Sequence, residues 1–497
     1  MMARFWSAIL LVSATLSAQT ARRAVMIDVD GMRRDTFQQA CQDGRLPNFQ
    51  RVFARALWFD NASSVLPTVT MAAQASLFTG TPPARHGVPG NQWFDRSAGR
   101  LIDYMSPGGL ICVYAVTVLG GAQCSGGLGN GHLLAPTIYE AAAQAGLTSA
   151  VYFSQYWKGA ARAAPPTLAE MVSFLAGSPI DWNAFDSEMA GRAIADLKSN
   201  GLPSLVTLYF AGTDGIGHQD GIAGQVPYLS GTVDPLLGQV LDAFESLDPS
   251  WRENTMFVLV SDHGRTDLVP YTEDLVLQAD LQSALPTGAT IAENGGMAYI
   301  YLDQPDLVDL PSLAAALLRD PRLSPTVASV RVRGAGDSPR DGDLILALQP
   351  VHYFPSPTSI GSNHGSVYSA DLNVPLLVAM PGGAAGHRAD PVSITQVAGT
   401  IAEYLGFPMD SADAPLPVRP GTRGRGQAGY PPLPRVGARG VGAAAGLPPP
   451  ALRQAGRSRN GDKQLQRYWN YVVLWGRILA GGVACPESSS FSFPSFF

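Results

Sequence analysis

The stretch "FAGTDGIGHQDG", residues 210 to 221, sets Asp214 and His218 four apart directly behind the apolar run Leu205 to Phe210. Carboxylate and imidazole both suit borderline divalent cations such as zinc, and a metal site that keeps a coordination position open can activate a nucleophile. One such pair in a polar, glycine-rich segment decides nothing by itself. Two other segments repeat the pattern. "DVDGMRRD" brings Asp30 to the end of a second apolar run, and "SDHGRTD" brings Asp262 and His263 to the end of a third. The chain has only seven histidines, and three of them, His218, His263 and His364, lie in glycine-flanked polar segments. Jointly these residues predict a metal site assembled from distant parts of the chain. A nucleophile is offered by Thr70, which immediately precedes Met71 to Thr79, a short helical stretch that stops at Gly80. As an N-cap, Thr70 would sit where backbone N–H groups and the helix dipole favour an anionic substrate. A neighbouring dication would lower the pKa of its hydroxyl.

The elements that must position these residues are apolar, β-branched runs with helical patterns between them. The runs are Ala24 to Asp28, Ser149 to Phe153, Leu205 to Phe210, Met256 to Val260, Ala298 to Leu302 and Val374 to Met380; Thr137 to Ala145 and Ser187 to Lys198 are helical. The pattern predicts an α/β fold with a mostly parallel sheet flanked by helices on both faces. In such sheets ligands bind beyond the carboxyl ends of the strands, where the three acidic segments fall. Residues from about 271 to 349 read as an inserted or capping region with short strands of its own.

Composition narrows the class. Among 497 residues, 46% are hydrophobic and 15% charged, which fits a folded globular chain, and a net charge of −6 gives no basic surface for nucleic acid. The apolar stretch Phe5 to Leu16, followed by Ser17 and Ala18, is too short to span a bilayer and predicts a signal peptide over residues 1–18. The expected product is exported, periplasmic or secreted, with no membrane span after cleavage. Four cysteines exclude a disulfide-stapled scaffold, while Cys112 and Cys124 flank a glycine-containing loop across which they could pair. From 410 to 497 the chain is rich in Pro, Gly and Arg, and residues 411–497 carry 11 basic side chains against 3 acidic ones, so a largely disordered basic tail is expected.

Asp30 in "VDGMR", Thr70 in "PTVTM", Asp214 and His218 in "DGIGH", Asp262 and His263 in "SDHG" and His364 in "NHGS" occur in an order and context that resemble the nucleotide pyrophosphatase/phosphodiesterase branch of the alkaline phosphatase superfamily. The resemblance spans residues 22–408 and implies an alkaline-phosphatase-like catalytic domain with two divalent ions, zinc in kind. It implies that Asp30, Asp262 and His263 hold one ion, to which the Thr70 oxygen also binds, and that Asp214, His218 and His364 hold the other. It selects Asp30 over Asp28, which would point the same way on an extended strand. By the same resemblance Asn91, in "HGVPGNQW", hydrogen-bonds a non-bridging phosphoryl oxygen. The implied reaction is cleavage of a small-molecule phosphodiester or nucleotide pyrophosphate through a phospho-threonine intermediate.

The chain also departs from that pattern. Met71-Ala72-Ala73 stands where the phosphodiesterases often carry Phe-Pro-Asn, and "GNQWFD" also resembles relatives that hydrolyse phosphate monoesters with a Lys and an Arg two residues apart. Here Lys158 and Arg162, four apart in "YWKGAARAAPP", are the candidates for substrate binding, with solvated helix charges as the alternative. Formylglycine-dependent sulfatase chemistry is disfavoured, because no Cys/Ser-x-Pro-x-Arg pattern follows Thr70. A phosphate monoesterase with the same metals is the alternative enzyme, and a secreted non-catalytic metal- or ligand-binding protein is the alternative of another class. His86 is expected to fix the loop leading to Asn91.

Overall fold

The computed structural model describes residues 22–105, 130–165, 180–268, 278–356 and 359–418. The signal peptide expected at 1–18, the Cys112 and Cys124 pair and the tail beyond 418 lie outside the described residues.

Eight of the strands before residue 261 are β1 (Arg23–Val29), β2 (Leu57–Ser63), β3 (Gln92–Asp95), β4 (Arg100–Asp103), β5 (Ser149–Tyr152), β6 (Arg162–Ala164), β7 (Leu205–Phe210) and β8 (Thr255–Val260). They are followed by β9 (Thr266–Asp267), β10 (Thr290–Asn294), β11 (Met297–Tyr301), β12 (Val327–Val332), β13 (Leu344–Leu348), β14 (Ser362–Asn363), β15 (Leu376–Ala379) and β16 (Gly386–Ser393). The main sheet has the order β16-β2-β15-β8-β1-β7-β5-β6. Its central strands β8, β1, β7 and β5 pair parallel, and β15 runs antiparallel to both of its neighbours.

Burial on both faces explains why the central strands are continuous apolar runs. Along β1, Ala24 and Met26 pack towards the Thr70–Thr79 and Gln396–Leu405 helices. Val25, Ile27 and Val29 face the opposite layer, which includes Phe37, Ala190, Leu237 and Phe244. The helix expected at 137–145 is Ile138–Gln144, started by a capping box between Thr137 and Glu140. The one expected at 187–198 is longer, Trp182–Asn200, with Asp181 as its side-chain cap.

Three expectations change. The Ala298–Leu302 run is not part of the parallel sheet: as β11 it pairs antiparallel with β10 and β13 in a separate four-stranded sheet ordered β10-β11-β13-β12, inside the region read as an insertion. Strands β2, β6 and β16 carry polar residues at the sheet margin and gave no apolar run to detect. The folded body also continues past 410. Leu416 and Val418 are buried, the Asp413 N–H donates to the Gly80 carbonyl at 2.7 Å, and the Leu416 N–H donates to Thr400 Oγ1 at 2.8 Å.

Ile27 lies at the centre of the sheet and is fully buried. Ile27→Ala is expected to lower unfolding free energy by about 2–5 kcal/mol, read as a reduced urea midpoint at unchanged m-value.

Candidate active site

Strand register gathers the acidic residues. Asp28 in β1 lies opposite Tyr209 in β7 and Val260 in β8, so the three strands end at nearly one level. Asp30 and Asp262 each follow two residues past that level. β7 passes directly into a helix, Gly212–Asp220, which carries Asp214 in its first turn and His218 one turn later. The segment is therefore helical in spite of its glycines, and neighbours demand two of them. A Cβ on Gly215 would lie 1.9 Å from the Trp182 ring, and one on Gly217 would lie 1.8 Å from Arg265 Nη1.

Two adjoining groups result. His263 Nε2 is 3.2 Å from Thr70 Oγ1, 3.4 Å from Asp30 Oδ1 and 3.6 Å from Asp262 Oδ2. His218 Nε2 is 3.1 Å from Asp214 Oδ2 and 3.2 Å from His364 Nε2, which is itself 3.7 Å from Asp214 Oδ1. The His263 and His364 rings stack with centroids 3.7 Å apart, joining the groups. All six expected ligands and Thr70 are thus brought together.

Backbone carbonyls aim the imidazoles. Nδ1 of His263 bonds the Gly264 carbonyl at 3.0 Å, Nδ1 of His364 the Thr68 carbonyl at 2.9 Å, and Nδ1 of His218 the Ser362 carbonyl at 3.0 Å. A carbonyl only accepts, so each Nδ1 carries the proton and each Nε2 turns a lone pair inward, the arrangement of metal-bound histidines. Burial keeps His263 neutral, with its pKa lowered to about 4, and burial followed by the adjacent His263 holds His364 well below the usual histidine range. Burial, then Asp262 and Asp214, raises Asp30 well above the usual carboxyl range; burial, then Asp28, does the same for Asp262. At Asp214 burial works upward, but Arg265 and the imidazoles outweigh it and hold the carboxyl well below that range.

This donor set fits divalent cations. Asp30 Oδ1 and Asp262 Oδ2 are buried without a hydrogen-bond partner, although buried polar atoms ordinarily have one. The Nε2 lone pairs of His218 and His364 face each other, which is unfavourable unless a cation or proton lies between them. Asp30, Asp262 and His263, and separately Asp214, His263 and His364, each offer ligand atoms within 4.8 Å of one another.

Thr70 differs in detail from its expected place. The Ala73 N–H reaches back to the Val69 carbonyl at 3.0 Å, so Val69 is the N-cap and Thr70 the first helical residue. Its hydroxyl makes no capping bond and faces His263 instead. Asn91 Oδ1 accepts from the Met71 N–H at 3.0 Å, which leaves its NH2 end to donate one residue from Thr70. His86 does bridge to the Asn91 loop. Its Nδ1 accepts from the Val88 N–H at 3.2 Å, its Nε2 bonds Ser76 Oγ at 2.9 Å, and burial lowers its pKa to about 3.

Lys158 and Arg162 do not join the cluster. Lys158 Nζ lies 3.3 Å from Glu140, whereas Arg162 pairs with Asp196 at 3.0 Å and donates to the Gly201 carbonyl, close to the amino ends of β5 and β7. The substrate-binding role expected for Arg162 is corrected by that position at the opposite end of the sheet. Two residues that organise the cluster were missed. Arg265, fully buried, bonds Asp214. Asn294 accepts from the Gln92 N–H at 3.1 Å and donates to the Gln92 carbonyl at 3.0 Å, pinning the residue after Asn91. Only "NGG" between two apolar runs hinted at it, as a hairpin turn.

The type I phosphodiesterase/nucleotide pyrophosphatase family model matches residues 24–318. The chain belongs to this family. Its alkaline-phosphatase-like fold is also that of murine ectonucleotide pyrophosphatase/phosphodiesterase 5, solved as an inactive threonine-to-alanine form with AMP (TM-score 0.57, 16% identity, 78% of this chain and 96% of that one). Phosphonoacetate hydrolase from Sinorhizobium meliloti 1021, solved with phosphonoformate, is similar (TM-score 0.55, 18% identity, the same coverages). Among curated proteins, alkaline phosphatase PafA of Elizabethkingia meningoseptica is 31% identical over 101 residues, 19% of this chain and 18% of the relative. Alkaline phosphatase PhoD of Zymomonas mobilis subsp. mobilis is 21% identical over 276 residues, 46% of this chain and 47% of the relative. The chain spans less than half the length of these curated relatives.

Because Asp30 and Asp262 hold protons more tightly than free carboxyls, a cation entering this cluster must displace those protons, and its apparent affinity is expected to rise with pH. The zinc-induced gain in melting temperature of chelator-treated protein is therefore expected to grow between about pH 5 and 8. Thermal scans with and without zinc across that range check it, and a gain that shrinks with rising pH contradicts the ligand assignment.

Proposed function

We propose that the protein is an exported two-zinc phosphohydrolase that cleaves phosphodiester or nucleotide pyrophosphate bonds through a phospho-threonine intermediate. The observation that carries this reading is the Thr70 hydroxyl, in the first turn of a helix, 3.2 Å from His263 Nε2 at the junction of the two ligand groups. A purely structural metal site closes its coordination shell with protein ligands and has no use for such a hydroxyl.

Asp30, Asp262 and His263 would hold one ion, and Asp214, His218 and His364 the other. Bound there, the ions would act as Lewis acids that lower the hydroxyl pKa and balance charge on the attacking and leaving oxygens. Thr70 Oγ1 forms the new P–O bond as the bond to the leaving group breaks on the opposite side. Asn91 donates its NH2 to a non-bridging oxygen, and the amino end of the Thr70–Thr79 helix adds favourable potential. Water then cleaves the phospho-threonine, restoring the hydroxyl and releasing a phosphate monoester.

Charge favours the diester. A monoester dianion calls for an extra cation near Asn91, and the two candidates are engaged with Glu140 and Asp196. A diester monoanion needs only the metals and a neutral donor. The short apolar segment at 5–16 supports export.

Turnover of bis-p-nitrophenyl phosphate against p-nitrophenyl phosphate tests the reading, with diester kcat/KM expected at least about tenfold higher. Thr70→Ala should lower turnover by on the order of a thousandfold or more while zinc content is retained. Monoester preference would return the protein to the phosphatases. Zinc binding without any turnover would leave a binding protein.

A further inference from the structure

Arg265 follows the Asp262–His263 pair and is fully buried, yet the chemistry above does not use it. Its Nε donates to the Gly31 carbonyl at 3.2 Å, its Nη1 to Ser362 Oγ at 2.7 Å, and its Nη2 to Asp214 Oδ1. Each contact reaches a different ligand-bearing segment. Gly31 adjoins Asp30, Asp214 lies on the helix with His218, and Ser362 precedes His364 by two residues. The arginine itself leaves from the segment of Asp262 and His263.

Neighbouring groups tighten the arrangement. Ser362 Oγ donates to the Gly217 carbonyl at 2.6 Å, and Gln225 Nε2 donates to the Gly31 carbonyl at 2.8 Å. Gly217 leaves room for the guanidinium, which any side chain there would strike. A planar fork of five donors can hold three separate acceptors at once, whereas an ammonium on a flexible stem cannot reproduce that geometry. With Oδ1 taken by Arg265, Asp214 keeps Oδ2 towards His218.

We propose that Arg265 is a positioning residue that holds the Asp214, His218 and His364 group assembled before any cation arrives and restricts Asp214 to one free oxygen. The metal part of this inference rests on the two-ion reading above; the restraint itself does not. It makes a distinction that a general packing role would not make. Weakening Arg265 should loosen the Asp214 group selectively and spare the Asp30 group, which has other anchors: Gly31 and His263 N–H groups on Asp262 Oδ1, and the Tyr209 hydroxyl on Asp30.

The test uses the full chain in three forms, wild type, Arg265→Lys and Ser362→Ala, the last a milder change that removes one acceptor of the fork. Hydrogen exchange is followed by mass spectrometry on chelator-treated protein, and zinc is then titrated against a competing chromophoric chelator. In Arg265→Lys, exchange should quicken in 212–221 and 361–365 with β1 and β8 unchanged. One of two zinc equivalents should weaken about 10–100-fold, the range for loss of a group that orients a ligand, and the other should hold within about threefold. Ser362→Ala should shift both readouts in the same direction and by less. Unchanged exchange in the two segments, or equal weakening of both equivalents with faster exchange throughout, overturns the proposal. If wild type takes up no zinc, the metal reading fails, and the exchange pattern alone still decides whether Arg265 restrains these segments.

Discussion

Like charge in a buried place is the constraint on which this structure turns. Asp28, Asp30 and Asp262 are buried together, with Asp214 beside them. Two unit charges 4 Å apart interact by about 4 kcal/mol at an effective dielectric of about 20, a large share of the roughly 5–15 kcal/mol that stabilises a typical domain. The fold cannot leave that repulsion unanswered. Protonation answers part of it, as the raised pKa values of Asp30 and Asp262 record, and the Arg265 guanidinium answers another part at Asp214. Under the proposed two-ion reading, divalent cations on the inward-facing oxygens and imidazole nitrogens would be the remaining answer and would make the cluster chemically useful.

The rest of the architecture keeps these groups from escaping one another. Parallel pairing with matched register brings β1, β7 and β8 to a common end, so the backbone delivers their following residues to one place. Backbone carbonyls then fix the tautomer and direction of all three imidazoles. The smaller sheet contributes through its β10–β11 turn. Gly295, at φ +67°, packs so close to the His364 carbonyl that a Cβ would lie 1.9 Å from it, while Asn294 holds Gln92. One hairpin turn thereby braces both the His364 loop and the residue beside Asn91.

Thr70 gains its place from the same economy of geometry. Starting the helix at Thr70 rather than after it frees the hydroxyl from capping and turns it to His263. Asn91 accepts the Met71 N–H, so the donor end of its amide is fixed relative to Thr70. In the proposed reaction, this positioning of Thr70, Asn91 and the ligand side chains by short backbone bonds would let the centre act on a phosphoryl group without reorganising.

By itself the sequence determined the central strands, because burial on both faces writes them as unbroken apolar runs. It also singled out Asp30, Asp214, His218, Asp262 and His263 as candidates, because they stand directly behind such runs, His364, because it lies in a glycine-flanked polar segment, and Thr70, because it adjoins a short helix before Gly80. Tertiary structure alone decided partners. Lys158 and Arg162 read equally as substrate contacts or as solvated charges, and the fold sets them against Glu140 and Asp196; Arg265 carried no signal in the sequence, and the fold buries it on Asp214. It likewise moved the Ala298–Leu302 run into a second sheet and carried the folded body to Val418. The physical reason is common to these cases. Hydrophobic periodicity and motif spacing are local and survive in one dimension, whereas the neutralisation of a charge or the pairing of a strand depends on residues that meet only after the chain has folded.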